Sequence, residues 1–85
     1  MLNIIQSTQF KKDFKKLRQL PFEDLKAIFE IILMLQNHQP LTAKHQEHYL
    51  TGNWSGYKEC HIKPDLLLIY KITANELLLA RLGSQ

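Results

Sequence analysis

Apolar residues recur with a helical period in the first half of the chain and with a strand-like one in the second. Phe10, Phe14 and Leu17 follow at i, i+4 and i+7, while Lys11, Lys12, Lys15, Lys16 and Arg18 take up most of the remaining surface, which is the pattern of an amphipathic helix. Ser7 or Thr8 stands where an N-cap is needed, so the spacing predicts a first helix reaching about Gln19, after a short β-prone start over Asn3 to Gln6. Pro21 suits the first turn of a second helix, and Glu23 and Asp24 place negative charge at its positive dipole end. Phe22, Leu25, Ile28, Phe29, Ile31, Ile32, Leu33 and Leu35 cover more than one narrow stripe. A largely buried helix is therefore expected, ending near His38 and before Pro40. His38 at that end reads as a dipole partner rather than a site residue.

Leu41 to Asn53 reads as a long irregular loop carrying His45 and His48, and such loops are more often functional than decorative. From Trp54 to Ile62 an imperfect alternation puts Tyr57, Glu59 and His61 on one face, with Trp54, Gly56, Lys58, Cys60 and Ile62 on the other. Lys63-Pro64-Asp65 makes a tight turn, and Leu66 to Thr73 reads as a central strand apolar on both faces. Ala74-Asn75 turns into a last strand, Glu76 to Leu82, which places Leu77, Leu79 and Arg81 on one side. The order β-α-α-β-β-β predicts an α+β fold, two N-terminal helices packed on one face of a small antiparallel sheet.

Composition narrows the class. The 85 residues make one domain, 1–85, and 45% hydrophobic residues argue against disorder. A lone cysteine, Cys60, forms no internal disulfide, so nothing asks for an oxidising compartment. The longest apolar run, Leu66 to Tyr70, is far short of a membrane helix, and the N-terminus lacks the basic start and long apolar segment of a signal peptide. A soluble, cytoplasmic protein with no membrane partner is expected. Net charge is +3, yet five of the eleven Lys and Arg residues fall between Lys11 and Arg18. That block is either the solvated face of a helix or a contact for a phosphate backbone or an acidic partner.

Two histidines and two carboxylates lie between His48 and Asp65, beside the apolar strand. A zinc site fails on spacing: Cys60 and His61 are adjacent, which in a strand sends them to opposite faces, and no chelating pair is present. The same opposition removes Cys60 as a nucleophile paired with His61, and no serine sits in a nucleophile-elbow context. The three glycines are scattered singly, so there is no phosphate-cradling loop. Acid–base chemistry without metal or cofactor survives, with His61, Glu59, His48, Asp65 and Arg81 converging on one concave surface. RNA brings its own nucleophile, the 2′-hydroxyl, and a guanidinium would meet the developing charge on phosphorus. Each residue also has an ordinary alternative: Arg81 with Glu59 as a surface ion pair, His48 as a loop hydrogen-bonder, Asp65 as a turn former.

The run from His48 through Gly52-Asn-Trp-Ser-Gly-Tyr-Lys-Glu-Cys-His61-Ile-Lys-Pro-Asp65-Leu-Leu-Leu-Ile-Tyr70-Lys, with the closing Ala80-Arg-Leu-Gly-Ser84, resembles the YafQ branch of the RelE/ParE toxin superfamily. The likeness extends to Phe10-Lys-Lys-Asp13-Phe-Lys15 and so covers nearly the whole chain. It implies a type II toxin with the RelE-like α+β fold that enters the ribosomal A site, cuts mRNA there without metal, and is silenced by a cognate, DNA-binding antitoxin. His48, His61 and Asp65 then match catalytic positions, Glu59 an acidic one, and Arg81 the arginine that steadies the scissile phosphate. Lys11, Lys12, Lys15, Lys16, Arg18, Tyr57 and Lys58 are expected to bind RNA or the antitoxin.

One position departs from the pattern. Gln85 stands where the branch carries a histidine, and the apolar tail that usually follows is missing. Glutamine hydrogen-bonds but does not transfer a proton at neutral pH. The resemblance therefore implies either a ribosome-dependent endoribonuclease of reduced activity or a silent relative that binds antitoxin and shapes repression of its operon. The related ParE gyrase poisons usually lack the His48, His61 and Asp65 set.

Overall fold

A computed structural model describes residues 1–84. In chain order it comprises β1 (Asn3–Gln6), α1 (Thr8–Lys16) prolonged by a 3-10 turn (Leu17–Gln19), α2 (Phe22–Gln36), β2 (His48–Tyr49), β3 (Lys58–Lys63), β4 (Leu66–Ile72) and β5 (Glu76–Ser84). Between the two possible caps of α1 the structure selects Ser7, whose Oγ accepts from the Phe10 N–H at 2.9 Å. The long connection after α2 is not wholly irregular: 3-10 turns at Ala43–His45 and Gly52–Trp54 flank the two-residue strand β2.

The sheet order is β1-β5-β4-β3-β2. β3, β4 and β5 form the expected antiparallel meander, but β1 pairs with β5 in parallel, so the sheet is mixed rather than antiparallel. The sequence order explains this, because both helices intervene between β1 and the meander and supply the crossover that parallel neighbours need. β4 is central as expected, although only Leu66, Leu68 and Tyr70 are buried; Leu67 and Ile69 lie half-buried on the face the helices leave open.

α2 buries Ile28, Ile31, Ile32 and Leu35 against the sheet, whereas Phe22 is 77% exposed and Phe29 and Leu33 are 53% exposed. The expectation of a largely buried helix is therefore corrected. α1 packs along β5 and reaches α2 chiefly through Phe14 on Phe29, with ring centroids 5.7 Å apart, so among the described residues one side of α2 has no cover.

A bulge in β5 decides which way Arg81 points. Tyr70 pairs with Leu79 but Ile69 pairs with Arg81, which leaves Ala80 as an extra residue. The alternation slips there by one. Leu77, Leu79 and Leu82 all face the core while Arg81 turns to the open face, so Arg81 does not share a side with Leu77 and Leu79 as simple alternation predicts.

Candidate active site on the open face of the sheet

Residues directly opposite each other on neighbouring strands point to the same face. His48 faces Glu59, Glu59 faces Ile69, and Ile69 faces Arg81, so these four side chains form one row across β2, β3, β4 and β5. At about 4.8 Å per strand the row spans about 14 Å. His61, Leu67 and Gly83 make the neighbouring row. Between them lies a shallow groove of about 270 Å³, lined by Trp54, Glu59, Leu67, Ile69, Arg81 and Gly83 among others. Its floor is aliphatic and its charge comes from Glu59 and Arg81; neither His48 nor His61 lines it.

His48 Nδ1 lies 2.8 Å from the Gln46 carbonyl and Nε2 lies 3.4 Å from Glu59 Oε1. Acceptors flank both ring nitrogens and fix the orientation of the ring. His61 differs. Its Nδ1 is 3.3 Å from the Pro64 carbonyl, which selects the Nδ1–H tautomer and leaves Nε2 as a proton acceptor. Asp65 is exposed at the β3–β4 turn and makes no hydrogen bond or ion pair with either histidine among the described residues. Gln85 lies outside the described residues.

Arg81 is held from behind. Its Nε donates to Asp13 Oδ2 at 2.9 Å, and the same oxygen accepts from the Leu82 N–H at 3.0 Å. Gln9 Nε2 donates to the other carboxylate oxygen at 3.1 Å. Burial alone would push the Asp13 carboxyl up, but the hydrogen bonds from Arg81, Leu82 and Gln9 outweigh it and hold the group below its usual 3.8. The guanidinium thus keeps a fixed carboxylate on one edge.

The other expected contact residues are spread out. Lys11, Lys12, Lys15, Lys16 and Arg18 are all exposed, and none is within ion-pair reach of a carboxylate among the described residues. Tyr57 meets Trp54 edge-on, centroids 5.2 Å apart, with Lys71 Nζ 5.5 Å from its ring centre. Lys58 is not brought into the row: it pairs with Tyr49 and Tyr70 on the opposite face, its Nζ 4.0 Å from Glu47 and 4.8 Å from the Tyr49 ring centre. Cys60 is fully buried on that covered face, and burial followed by the charges of Glu47 and Glu59 pushes its thiol up to about 12. A thiol so placed is no nucleophile at neutral pH. Among the described residues no three His, Cys, Asp or Glu side chains gather as a metal cage.

Three residues that hold the site are not among those expected from the sequence. Asp13 is one, although it shares the apolar side of α1 with Phe10, three residues earlier, which is an odd place for a carboxylate. His45 is 9% exposed, and its Nδ1, 2.9 Å from the His61 carbonyl, ties the loop to β3. Glu47 accepts a hydrogen bond from the buried Tyr70 hydroxyl, and burial together with that bond raises the Tyr70 pKa. Nothing in the spacing of His45 or Glu47 marks either one.

The fold and its open face define a small α+β protein with a histidine, carboxylate and arginine row flanked by a basic helix. Over residues 2–85 the chain matches the family described as bacterial toxin of type II toxin-antitoxin system, YafQ. It is 37% identical over 83 residues to the mRNA interferase toxin YafQ of Escherichia coli K12, covering 96% of this chain and 89% of that protein. A metal-bound toxin from Helicobacter pylori superposes with a TM-score of 0.89 at 45% identity, covering 100% of this chain and 96% of the other. YafQ in the E. coli DinJ-YafQ toxin-antitoxin complex superposes with a TM-score of 0.81 at 36% identity, covering 98% and 91%. The chain belongs to the YafQ toxin family.

Proposed function

We propose that this protein is an mRNA interferase that cuts mRNA in the ribosomal A site, using general acid and base groups on the open sheet face. The observation that carries this reading is the register that aligns His48, Glu59 and Arg81 in one row, with His61 in the next. His48 and His61 are diagonal neighbours across β2 and β3, roughly 7–8 Å apart at the backbone. A phosphate between them meets an imidazole on either side. His61 Nε2 takes the 2′-hydroxyl proton as the 2′-oxygen bonds to phosphorus. His48 gives a proton to the departing 5′-oxygen, and a 2′,3′-cyclic phosphate remains. Glu59 orients the His48 ring, Arg81 offers its terminal nitrogens to the phosphate oxygens, and Asp65 adds negative charge near His61. The exposed cations from Lys11 to Arg18 suit ribosomal RNA or an acidic antitoxin segment.

The site acts as part of one domain, residues 1–85, in the cytoplasm; no described helix is long and apolar enough to cross a membrane. Purified protein added to translating ribosomes should generate new mRNA ends within the A-site codon. If neither this chain nor its Gln85→His version cuts there, the enzyme reading is wrong. A second reading is favoured by the uncovered apolar side of α2 beside the basic helix: a silent toxin that binds antitoxin and tunes operon repression. It predicts tight antitoxin binding without cleavage. Growth arrest that disappears with His61→Ala would defeat it.

A further inference from the structure

The stretch of β5 around Arg81 is clamped from the N-terminal side of the chain at three points. Beyond Gln6 no strand among the described residues pairs with the outer edge of β5, and the start of α1 takes that place. Ser7 Oγ, which caps α1, also donates to the carbonyl of the bulged Ala80 at 2.8 Å. The Asp13 carboxylate, 8% exposed, accepts from the Leu82 N–H and from Arg81 Nε. Helix-borne groups therefore bracket Arg81 on the residue before it, the residue after it and its own side chain.

A carboxylate could hold an arginine by its two terminal nitrogens, leaving little for a substrate. Here the contact is side-on, through Nε alone. The terminal nitrogens donate to no protein atom among the described residues, and Arg81 lines the groove that runs past Glu59 to Trp54. Because Asp13 is itself fixed by Leu82 N–H and Gln9, the arginine meets an anchored acceptor rather than a mobile surface acid. A flexible arginine loses rotamer freedom when it is ordered, and a guanidinium ordered before substrate arrives has already met that cost.

We propose that Asp13 is the positioning residue of Arg81: it fixes the Nε edge of the guanidinium so that the terminal nitrogens face the scissile phosphate. This rests on the assignment of Arg81 as the phosphate contact. Asp13 touches no substrate and acts only through Arg81.

A double-mutant cycle on mRNA cleavage by translating ribosomes tests it, with wild type, Asp13→Asn, Arg81→Ala and the double variant compared for kcat and KM. Asparagine keeps an oxygen for the Leu82 N–H while losing the charge that holds Arg81. Asp13→Asn should lower kcat roughly 10- to 100-fold and cause no further loss when Arg81 is already alanine. An equal loss in both backgrounds overturns the inference, since Asp13 would then serve the fold or another residue. If Arg81→Ala cleaves like wild type, the phosphate assignment itself is wrong and the positioning role falls with it. A second measurement needs no variant: in the unmutated protein the Arg81 Nε–H should give a distinct nuclear magnetic resonance signal that exchanges slowly with water. A signal exchanging like that of free arginine overturns the clamp regardless of any activity result.

Discussion

The two faces of the sheet are made from the same strands and differ in almost everything else. On the covered face Cys60, Leu68, Tyr70 and Leu77 are fully buried, and among the described residues no buried side-chain nitrogen or oxygen lacks a hydrogen-bond partner. On the open face the neighbours of these residues are His48, Glu59, His61, Leu67, Ile69 and Arg81, half-buried or exposed, the polar ones held by one or two contacts each. Strand geometry turns each successive side chain to the opposite face, so scaffold and site interleave residue by residue. The open row also stands on aliphatic ground, because Leu67 and Ile69 separate the histidines from Arg81. Charges over such a floor are less screened than charges in bulk water.

The division predicts that mutations on the two faces fail in different ways. His61→Ala should reduce mRNA cleavage by about 10²- to 10⁴-fold with an unfolding midpoint close to wild type. Leu68→Ala should cost about 2–5 kcal/mol of stability, read by urea unfolding, while the folded fraction keeps its cleavage rate. A large stability loss at His61, or a rate loss at Leu68 beyond the folded fraction, would break the comparison.

The sequence exposes the scaffold more fully than the site. The 3.6 and 2.0 periods locate both helices and the meander, and the alternation of Glu59, Cys60 and His61 already separates the acid–base pair from the thiol. Pairing is another matter. The parallel joining of β1 to β5 depends on where the helical crossover returns, which no local pattern records. Arg81 shows the limit sharply: the single extra residue Ala80 reverses its face, and nothing in Leu-Leu-Leu-Ala-Arg marks a bulge. Asp13 and Arg81 are 68 residues apart in sequence. Their contact is a product of packing, although a carboxylate on the apolar side of α1 is a visible oddity.

Titration offers a finer comparison of the faces. The covered face holds two acids that burial keeps protonated, Cys60 first and Tyr70 beyond it. Both have folded values above their unfolded ones, so the stability tied to them is present below those unfolded values and lost as pH rises. The loss should begin near pH 9.0, the ordinary value of the thiol. At one pH unit above that it should reach about 1.4 kcal/mol from Cys60, and Cys60→Ala should remove this part of the pH dependence. At the edge of the sheet the sign reverses. The lowered Asp13 value means its contribution is present above 3.8 and lost as pH falls through the folded value. The gap in urea midpoint between wild type and Asp13→Asn should therefore be widest at neutral pH and close in acid; a gap that widens in acid would contradict the Arg81 clamp.

The smallest effect belongs to the surface that resembles neither face, the outer side of α2. Leu33 is apolar yet 53% exposed, one residue from Ile32, which is 8% exposed. Leu33→Gln leaves the sheet contacts intact and replaces one good helix former with another. The change in stability should stay within about 0.5 kcal/mol, at low and at high protein concentration alike. A larger cost that grows with concentration would mean that a second copy covers this side of α2. The apolar residues there would then form a third buried surface, one assembled between chains rather than within one.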